Sequence, residues 1–200
     1  MKKNLTEIIF LLDRSGSMGG LELDTIGGFN AFIDRQCKME GETYLTTVLF
    51  DDQTDILWNG IDAHHARLTD EEYYVRGCTA LLDAVGKTIS EVARRLSKTS
   101  EDQKPENVIF VITTDGMENA SREYTNEKVK QMIRHQQEKY NWEFIFMGAN
   151  IDAAEEAGSI GIPKEQAFSF EASNEGVGKM YDLACDVVSE KRIEKAFIRD

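Results

Sequence analysis

The stretch Glu7-Ile-Ile-Phe-Leu-Leu-Asp-Arg-Ser-Gly-Ser-Met18 contains a run of five apolar residues that stops at an aspartate. A short unbroken apolar run of this kind is typical of a strand buried on both faces, as at the centre of a parallel sheet. After it come Asp13, Ser15 and Ser17, and residues two apart in an extended or looped backbone point the same way. Open α/β sheets bind ligands at the carboxyl ends of their strands. We therefore predict a divalent-cation site here.

A second apolar run, in residues 107–115, also stops at an aspartate, Asp115. If the two strands are neighbours in a parallel sheet, their separation of about 5 Å brings Asp13 and Asp115 close together. Two adjacent carboxylates repel each other unless a cation or a proton lies between them. Neutral hydroxyl oxygens can be added by Ser15, Ser17 and Thr79. Such an all-oxygen set favours Mg²⁺ or Mn²⁺, and the lack of a Cys or His cluster argues against zinc.

Strands and helices alternate along the rest of the chain. Further strands are predicted at residues 44–50, 56–61, 142–147 and 167–170, and helices at residues 21–39, 82–96, 125–140, 152–158 and 175–193. A polar turn separates the strands at 44–50 and 56–61, which predicts an antiparallel hairpin at one side of the sheet. Gly27 and Gly28 weaken the first helix unless its backbone packs closely there. The alternation predicts an α/β fold, a doubly wound sheet with helices on both faces.

Composition narrows the class of protein. Two hundred residues suit a single domain, 1–200. A net charge of −13 argues against a nucleic-acid partner and an anionic membrane surface. No apolar run is long enough to span a membrane, and we interpret the amino-terminal run as the first strand, not a signal peptide. Three widely spaced cysteines suit reduced thiols, so we expect a cytoplasmic protein.

Three segments of the chain resemble, in order, the metal ion-dependent adhesion site of the von Willebrand factor type A family, which includes integrin inserted domains. They are Asp13-Arg-Ser15-Gly-Ser17, Thr79 in Gly77-Cys-Thr-Ala-Leu, and Asp115 in Thr113-Thr-Asp-Gly. The resemblance covers essentially the whole chain. It implies a Rossmann-like, mostly parallel six-stranded sheet with one antiparallel edge strand.

The same resemblance implies a role for each site residue. The hydroxyl groups of Ser15, Ser17 and Thr79 would bind the metal, Thr79 in the ligand-bound state. Asp13 and Asp115 would act largely through bound water. A Glu or Asp of a partner protein would take the sixth position. Similarity to stand-alone bacterial or phage-type members further implies a cytoplasmic location and an ATPase or stress-response partner.

Three classes of function remain open on the sequence. The leading hypothesis is a metal-dependent protein-binding module without catalytic residues. The alternative is a Mg²⁺-dependent phosphoryl-transfer enzyme that uses Asp13 as nucleophile or metal ligand. Against the enzyme, no second Asp follows two residues after Asp13, and no phosphate-binding Gly-x-x-x-x-Gly-Lys segment is present. The third is a structural domain that holds a metal only for stability.

Other polar residues have ordinary structural interpretations. We predict that Cys78 is a small buried side chain and not a redox control of Thr79. The acidic residues of the hairpin turn, Asp51, Asp52 and Asp55, are predicted to be solvated, although they could form a second cation site.

Four residues near the strand ends could shape the rim of the site. Asn150 and Asp152 could line a ligand groove, with helix capping by Asp152 an equal alternative. Glu118 and Asn119 could shape the rim or act as turn residues.

Overall fold

A single six-stranded sheet runs through the computed structural model, which describes residues 1–197. The strands are β1 Lys2–Asp13, β2 Glu42–Phe50, β3 Thr54–Asp62, β4 Pro105–Thr114, β5 Glu143–Ala149 and β6 Ala167–Phe170. They lie in the order β3-β2-β1-β4-β5-β6, and only β3, at one edge, is antiparallel to its neighbour. The predicted sheet and its edge hairpin are therefore confirmed. Residues 198–200 of the predicted domain lie outside the described residues.

Helices cover both faces of this sheet, as predicted. They are α1 Glu22–Cys37, α2 Leu81–Lys98, α3 Asn126–Tyr140, α4 Ala153–Ser159 and α5 Asn174–Phe197. The apolar side chains of α1 and α5 belong to the core on one face, and those of α2, α3 and α4 to the core on the other. Across residues 1–197, none of the helices combines the length and the apolar character that a membrane span requires.

Strand β1 is the centre of the molecule because its side chains feed both cores. Ile8, Phe10 and Leu12 point into the α1/α5 core, while Ile9 and Leu11 point into the opposite one. All five are essentially inaccessible to solvent. This alternation explains why the run has no polar break, since a parallel strand covered on both sides has no wet face.

Helices α1 and α5 approach each other closely at Gly28. A Cβ atom at this position would overlap the ring of Tyr181 from α5. The same ring stacks on Phe10 of β1, with centroids 5.9 Å apart. The close packing of the backbone that the sequence predicted at the glycines of α1 is therefore present at Gly28. It allows Tyr181 of α5 to pack over the central strand.

Candidate functional site

The two aspartates of the predicted site lie at one edge of the sheet. Strands β1 and β4 are hydrogen-bonded neighbours, with Leu12 opposite Thr113. Asp13 is the last residue of β1, and Asp115 follows the last residue of β4 directly. Both carboxylates therefore project from the carboxyl ends of adjacent central strands.

Hydroxyl groups join these carboxylates into one cluster. Ser17 donates a hydrogen bond of 2.7 Å from Oγ to Oδ1 of Asp115. The Oγ atoms of Ser15 and Ser17 are 3.1 Å apart. The backbone N–H of Ser15 donates to Oδ1 of Asp13 at 2.7 Å. A single chain of contacts thus connects the first loop to both aspartates.

Thr79 reaches the same cluster from the loop before α2. Gly116 is close to both Thr79 and Ser17. A Cβ atom placed on Gly116 would be 2.8 Å from Oγ1 of Thr79 and 3.7 Å from Oγ of Ser17. The backbone N–H of Thr79 donates to the side-chain oxygen of Asn119 at 3.0 Å, which fixes the loop. The structure therefore brings together all five predicted residues, Asp13, Ser15, Ser17, Thr79 and Asp115.

Burial makes the two carboxylates costly to ionise on their own. It raises the pKa of Asp13 to about 6, although hydrogen bonds from Thr114 and Ser15 favour the charged form, and the charge of Asp115 raises it further. Burial also raises the pKa of Asp115, against the hydrogen bond from Ser17. Neither side chain forms an ion pair with a Lys, Arg or His of the described residues. A bound cation would relieve both costs.

The donor set of the cluster fits a hard divalent cation. It offers two carboxylates and three hydroxyls, all of them oxygen donors, which suits Mg²⁺ or Mn²⁺. In the described part of the chain no group of three or more His, Cys, Asp and Glu side chains is placed to hold a metal. A cation held in this cluster would therefore need the serine and threonine hydroxyls for much of its coordination.

Two supporting residues were missed from the sequence. Thr114 donates from Oγ1 to Oδ2 of Asp13 at 2.6 Å, so both carboxylate oxygens of Asp13 are held. The buried hydroxyl of Tyr73 donates to the backbone carbonyl of Asp13 at 2.6 Å. Thr114 could be found only from the register of β1 against β4. Tyr73 lies in a long polar loop, and the sequence of this loop did not indicate that the tyrosine is buried against Asp13.

The prediction of a solvated hairpin turn is wrong for Asp51. This side chain is inaccessible to solvent, and Arg14 and Arg76 donate to its Oδ2 at 2.9 and 2.5 Å. Burial opposes its ionisation, but the hydrogen bond from Arg76 and the nearby charges lower its pKa overall. Both arginines also pair with Asp55. Arginines therefore neutralise the charges of Asp51 and Asp55.

This ion-pair cluster fastens the loop that carries Thr79. Arg76 donates from its backbone N–H to the carbonyl of Arg14, and Ala80 donates to the carbonyl of Asp51, both at 2.8 Å. The prediction that Cys78 is buried is also wrong, because its thiol is exposed. Thr79 and the next residue, Ala80, are buried, whereas Cys78 faces solvent.

The side chains of the remaining rim residues mainly accept hydrogen bonds from backbone N–H groups. Asp152 accepts from the N–H of Glu155 at 3.0 Å and caps α4, which supports the capping alternative. Asn150 accepts from the N–H of Ala172. Glu118 accepts from the N–H of Leu82 at the start of α2.

Comparison with known proteins identifies the fold but finds no close relative. No family model and no curated protein matches the chain. Among solved structures, proximal thread matrix protein 1 from the mussel byssus is 18% identical, with a TM-score of 0.65 over 92% of this chain and 46% of that chain. This chain thus spans about half the length of the mussel protein. Another structure of the mussel protein has zinc in its metal ion-dependent adhesion site (MIDAS) motif.

Two further structures extend the likeness. The vWF domain of the pilus tip protein Mfa5 from Porphyromonas gingivalis is 10% identical, with a TM-score of 0.68 over 96% of this chain and 97% of that chain. Manganese-loaded TRAP from Plasmodium vivax is 19% identical, with a TM-score of 0.55 over 74% and 58%. Identities this low carry the fold alone. The sheet order, the single antiparallel edge strand and these structures agree that the chain has the fold of von Willebrand factor type A domains.

Proposed function

We propose that the chain is a divalent-cation-dependent protein-binding module without catalytic activity. In this proposal Asp13, Ser15, Ser17, Thr79 and Asp115 hold Mg²⁺ or Mn²⁺, and a Glu or Asp of a partner protein binds to the held ion. The metal-loaded structures of the mussel and Plasmodium proteins support a divalent cation on this fold.

One observation carries the proposal: two buried carboxylates from adjacent strands meet three hydroxyls and form no ion pair within residues 1–197. A site for stability alone would be closed to solvent. Here Ser17 is exposed, so the cluster opens to the surface at the edge of the sheet.

The residues of the chain have distinct tasks in this proposal. Ser15 and Thr114 hold the two oxygens of the Asp13 carboxylate in place. Ser17 and Thr79 present hydroxyl oxygens from separate loops. A bound cation would supply a Lewis-acidic position that accepts a carboxylate oxygen from a partner. Because the protein contributes only two negative charges, that position keeps its attraction for a third.

Metal binding can be tested by calorimetric titration of Mg²⁺, Mn²⁺ and Zn²⁺ into the purified protein. We expect saturable binding of Mg²⁺ or Mn²⁺ that Asp13→Ala abolishes while the circular dichroism spectrum stays unchanged. Asp34→Asn, which alters an exposed carboxylate of α1, is the matched control and should bind as the wild type does. Unchanged titration of Asp13→Ala would refute the metal assignment.

The partner chemistry needs a separate experiment. Peptides from a random displayed library are selected on the immobilised protein in Mg²⁺ and eluted with EDTA. We expect the eluted peptides to share a Glu or Asp whose replacement by Gln or Asn removes binding. Selection of peptides without a required acidic residue, or binding indifferent to EDTA, contradicts the proposal.

The cellular setting and the lack of activity are proposed from the resemblance and the cysteines. All three cysteines are free thiols in the structure, which suits a reducing compartment. We propose a cytoplasmic protein with a bacterial or phage-type domain that acts with an ATPase or stress-response partner. Turnover of generic phosphate esters that is lost on Asp13→Asn would instead favour the phosphoryl-transfer enzyme.

A further inference from the structure

Thr79 is attached to the candidate metal site in a different way from the other four residues of the cluster. Hydrogen bonds join the first loop, through Ser15 and Ser17, to both aspartates. Within residues 1–197, no hydrogen bond joins the hydroxyl of Thr79 to the other four side chains. The position of this hydroxyl therefore depends on how the backbone of Thr79 is held.

The backbone of Thr79 is held by Asn119, from the loop that follows β4. The N–H of Thr79 donates to Oδ1 of Asn119 at 3.0 Å. In return, the backbone N–H of Asn119 donates to the carbonyl of Thr79, also at 3.0 Å. Because Thr79 is almost fully buried, loss of the Asn119 side chain would leave its N–H without an acceptor, and such a loss is costly.

The backbone of Asn119 is itself fixed by the side chain before it. One carboxylate oxygen of Glu118 accepts from the backbone N–H groups of residues 120 and 121, at 3.0 and 2.7 Å. The other accepts from the N–H of Leu82, in the first turn of α2, at 2.9 Å. Asn119 is therefore presented to Thr79 from a loop that is already bound to the helix following Thr79.

The same loop contacts Thr79 on its hydroxyl side. Gly116 leaves no room for a side chain here, since a Cβ atom on it would be 2.8 Å from Oγ1 of Thr79. Asn119 lies four residues after Asp115 in the chain. It therefore ties Thr79 to the loop that carries Asp115, so these two oxygen donors keep a fixed relation. The other three donors, Asp13, Ser15 and Ser17, come from a single loop.

We propose that Asn119 is a positioning residue for metal binding. It does not belong to the five-residue cluster, but it sets the place of the Thr79 hydroxyl through the Thr79 backbone. This role rests on the proposed function, because it assigns the hydroxyl of Thr79 to the bound cation. Residues that orient metal ligands typically change metal affinity by about 10- to 100-fold when they are lost. Only one of five donors depends on Asn119, so we expect the lower end of this range.

The contact can be tested without metal, by hydrogen exchange of backbone amides followed by nuclear magnetic resonance in EDTA. We expect the N–H of Thr79 to exchange roughly tenfold faster in Asn119→Leu than in the wild type, because its acceptor is lost. Asn119→Asp keeps an acceptor oxygen and should preserve the protection. The N–H of Arg76, which donates to the carbonyl of Arg14, is the internal control and should be unchanged. Unchanged exchange of Thr79 in Asn119→Leu would overturn the proposal.

Calorimetric titration with Mn²⁺ tests the effect on affinity. Asn119→Leu should bind Mn²⁺ roughly tenfold more weakly than the wild type, and Asn119→Asp should bind it at least as tightly as the wild type. In Thr79→Val, which lacks the hydroxyl, Asn119→Leu should cause no further loss. Met117→Ala, at an exposed position of the same loop, is the matched control. An equal loss in the presence and absence of the Thr79 hydroxyl would show that Asn119 acts elsewhere, and would overturn the proposal.

The two measurements also separate this role from the proposed function. A wild-type protein that binds no Mn²⁺ would refute the proposed function and, with it, any effect of Asn119 on affinity. Normal binding by the wild type, together with unchanged affinity in Asn119→Leu, would refute the positioning role alone.

Discussion

Asp13 shows how much of the candidate site depends on single contacts. Its two carboxylate oxygens accept from Ser15 and Thr114, and its backbone carbonyl accepts from Tyr73. The side chain therefore has one orientation, toward Asp115. A ligand oxygen that is fixed before the ion arrives loses less conformational entropy on binding.

Thr114 offers the sharpest test of this orientation. Thr114→Val keeps the shape of the side chain and removes the hydroxyl that donates to Asp13. We expect metal affinity to fall roughly 10- to 100-fold, the usual effect of losing a residue that orients a metal ligand. Thr113→Val is the matched control, because Thr113 donates to the carbonyl of Leu11 and not to Asp13. Calorimetric titration with Mn²⁺ measures both, and equal affinities would contradict the assigned role.

The raised pKa of Asp13 predicts how the metal-free protein responds to pH. In the fold this pKa rises from its ordinary 3.8 to about 6, so between these values the folded state binds more protons than the unfolded state. The free energy of unfolding should therefore fall as the pH rises through this window. The interval of about two pH units, at about 1.4 kcal/mol each, gives a loss of up to about 3 kcal/mol. Burial of Asp115 acts in the same direction.

Urea unfolding in EDTA between pH 4 and pH 7 measures this loss. The wild type is compared with Asp13→Asn, which cannot titrate at this position. Carboxyls whose pKa is lowered, such as Asp51 and Asp83, titrate mainly below this window and contribute equally to both proteins. We expect the stability difference between the two proteins to change with pH in the direction given. A constant difference would show that Asp13 ionises normally.

At the scale of elements, the site is held by loops that lock onto α2. Glu118 accepts from the N–H of Leu82 in the first turn of this helix. In return, Asp83 accepts from three consecutive backbone N–H groups, those of residues 122–124. The loop that carries Asp115 and the helix that follows Thr79 are thereby joined at their ends. This exchange explains how two loops far apart in sequence keep a common geometry.

The adjacent glycines of α1 predict opposite effects on stability. Gly28→Ala places a methyl group in the ring of Tyr181, and such overpacking costs about 1–3 kcal/mol. Gly27→Ala meets nothing within 4 Å and should stabilise the helix by about 0.5–1 kcal/mol. Urea unfolding of the two variants and the wild type measures both changes. If both variants are stabilised, α1 and α5 do not pack as closely as the structure shows.

The elements also show where sequence reasoning succeeds. Strands β1 and β4 each contain an unbroken apolar run, so the burial of that run, and the position of the aspartate that follows it, can be predicted from the sequence alone. Asp51 follows a strand in the same way but stands in a polar turn, and nothing local shows that Arg14 and Arg76 bury it. Cys78 is exposed although the next two residues, Thr79 and Ala80, are buried, and nothing in the local sequence distinguishes the three positions. Contacts between distant segments decide whether such residues are buried, and the local sequence pattern carries no information about those contacts.

At the scale of the whole molecule, the net charge of −13 means that salt stabilises the fold by screening charge, in addition to the proposed stabilisation by a bound metal. Self-repulsion destabilises a highly charged fold, so any salt that screens it raises the melting temperature to some degree. In the proposed function a specific ion would add to this, because it would bind the folded chain, where Asp13 and Asp115 meet, and not the unfolded chain, which has no such site. At one hundred times its dissociation constant, this linkage contributes about 2.7 kcal/mol.

The two contributions can be separated by thermal unfolding. For a chain of this size, the specific term corresponds to a rise of about 5–10 °C in melting temperature when Mg²⁺ is in excess. NaCl at equal ionic strength screens charge but should not bind the cluster, so it should give a clearly smaller rise. Asp13→Ala should respond to MgCl₂ only as it responds to NaCl. If NaCl matches MgCl₂ in the wild-type protein, the stabilisation comes from the net charge, and the cluster at the sheet edge has no specific affinity for the ion.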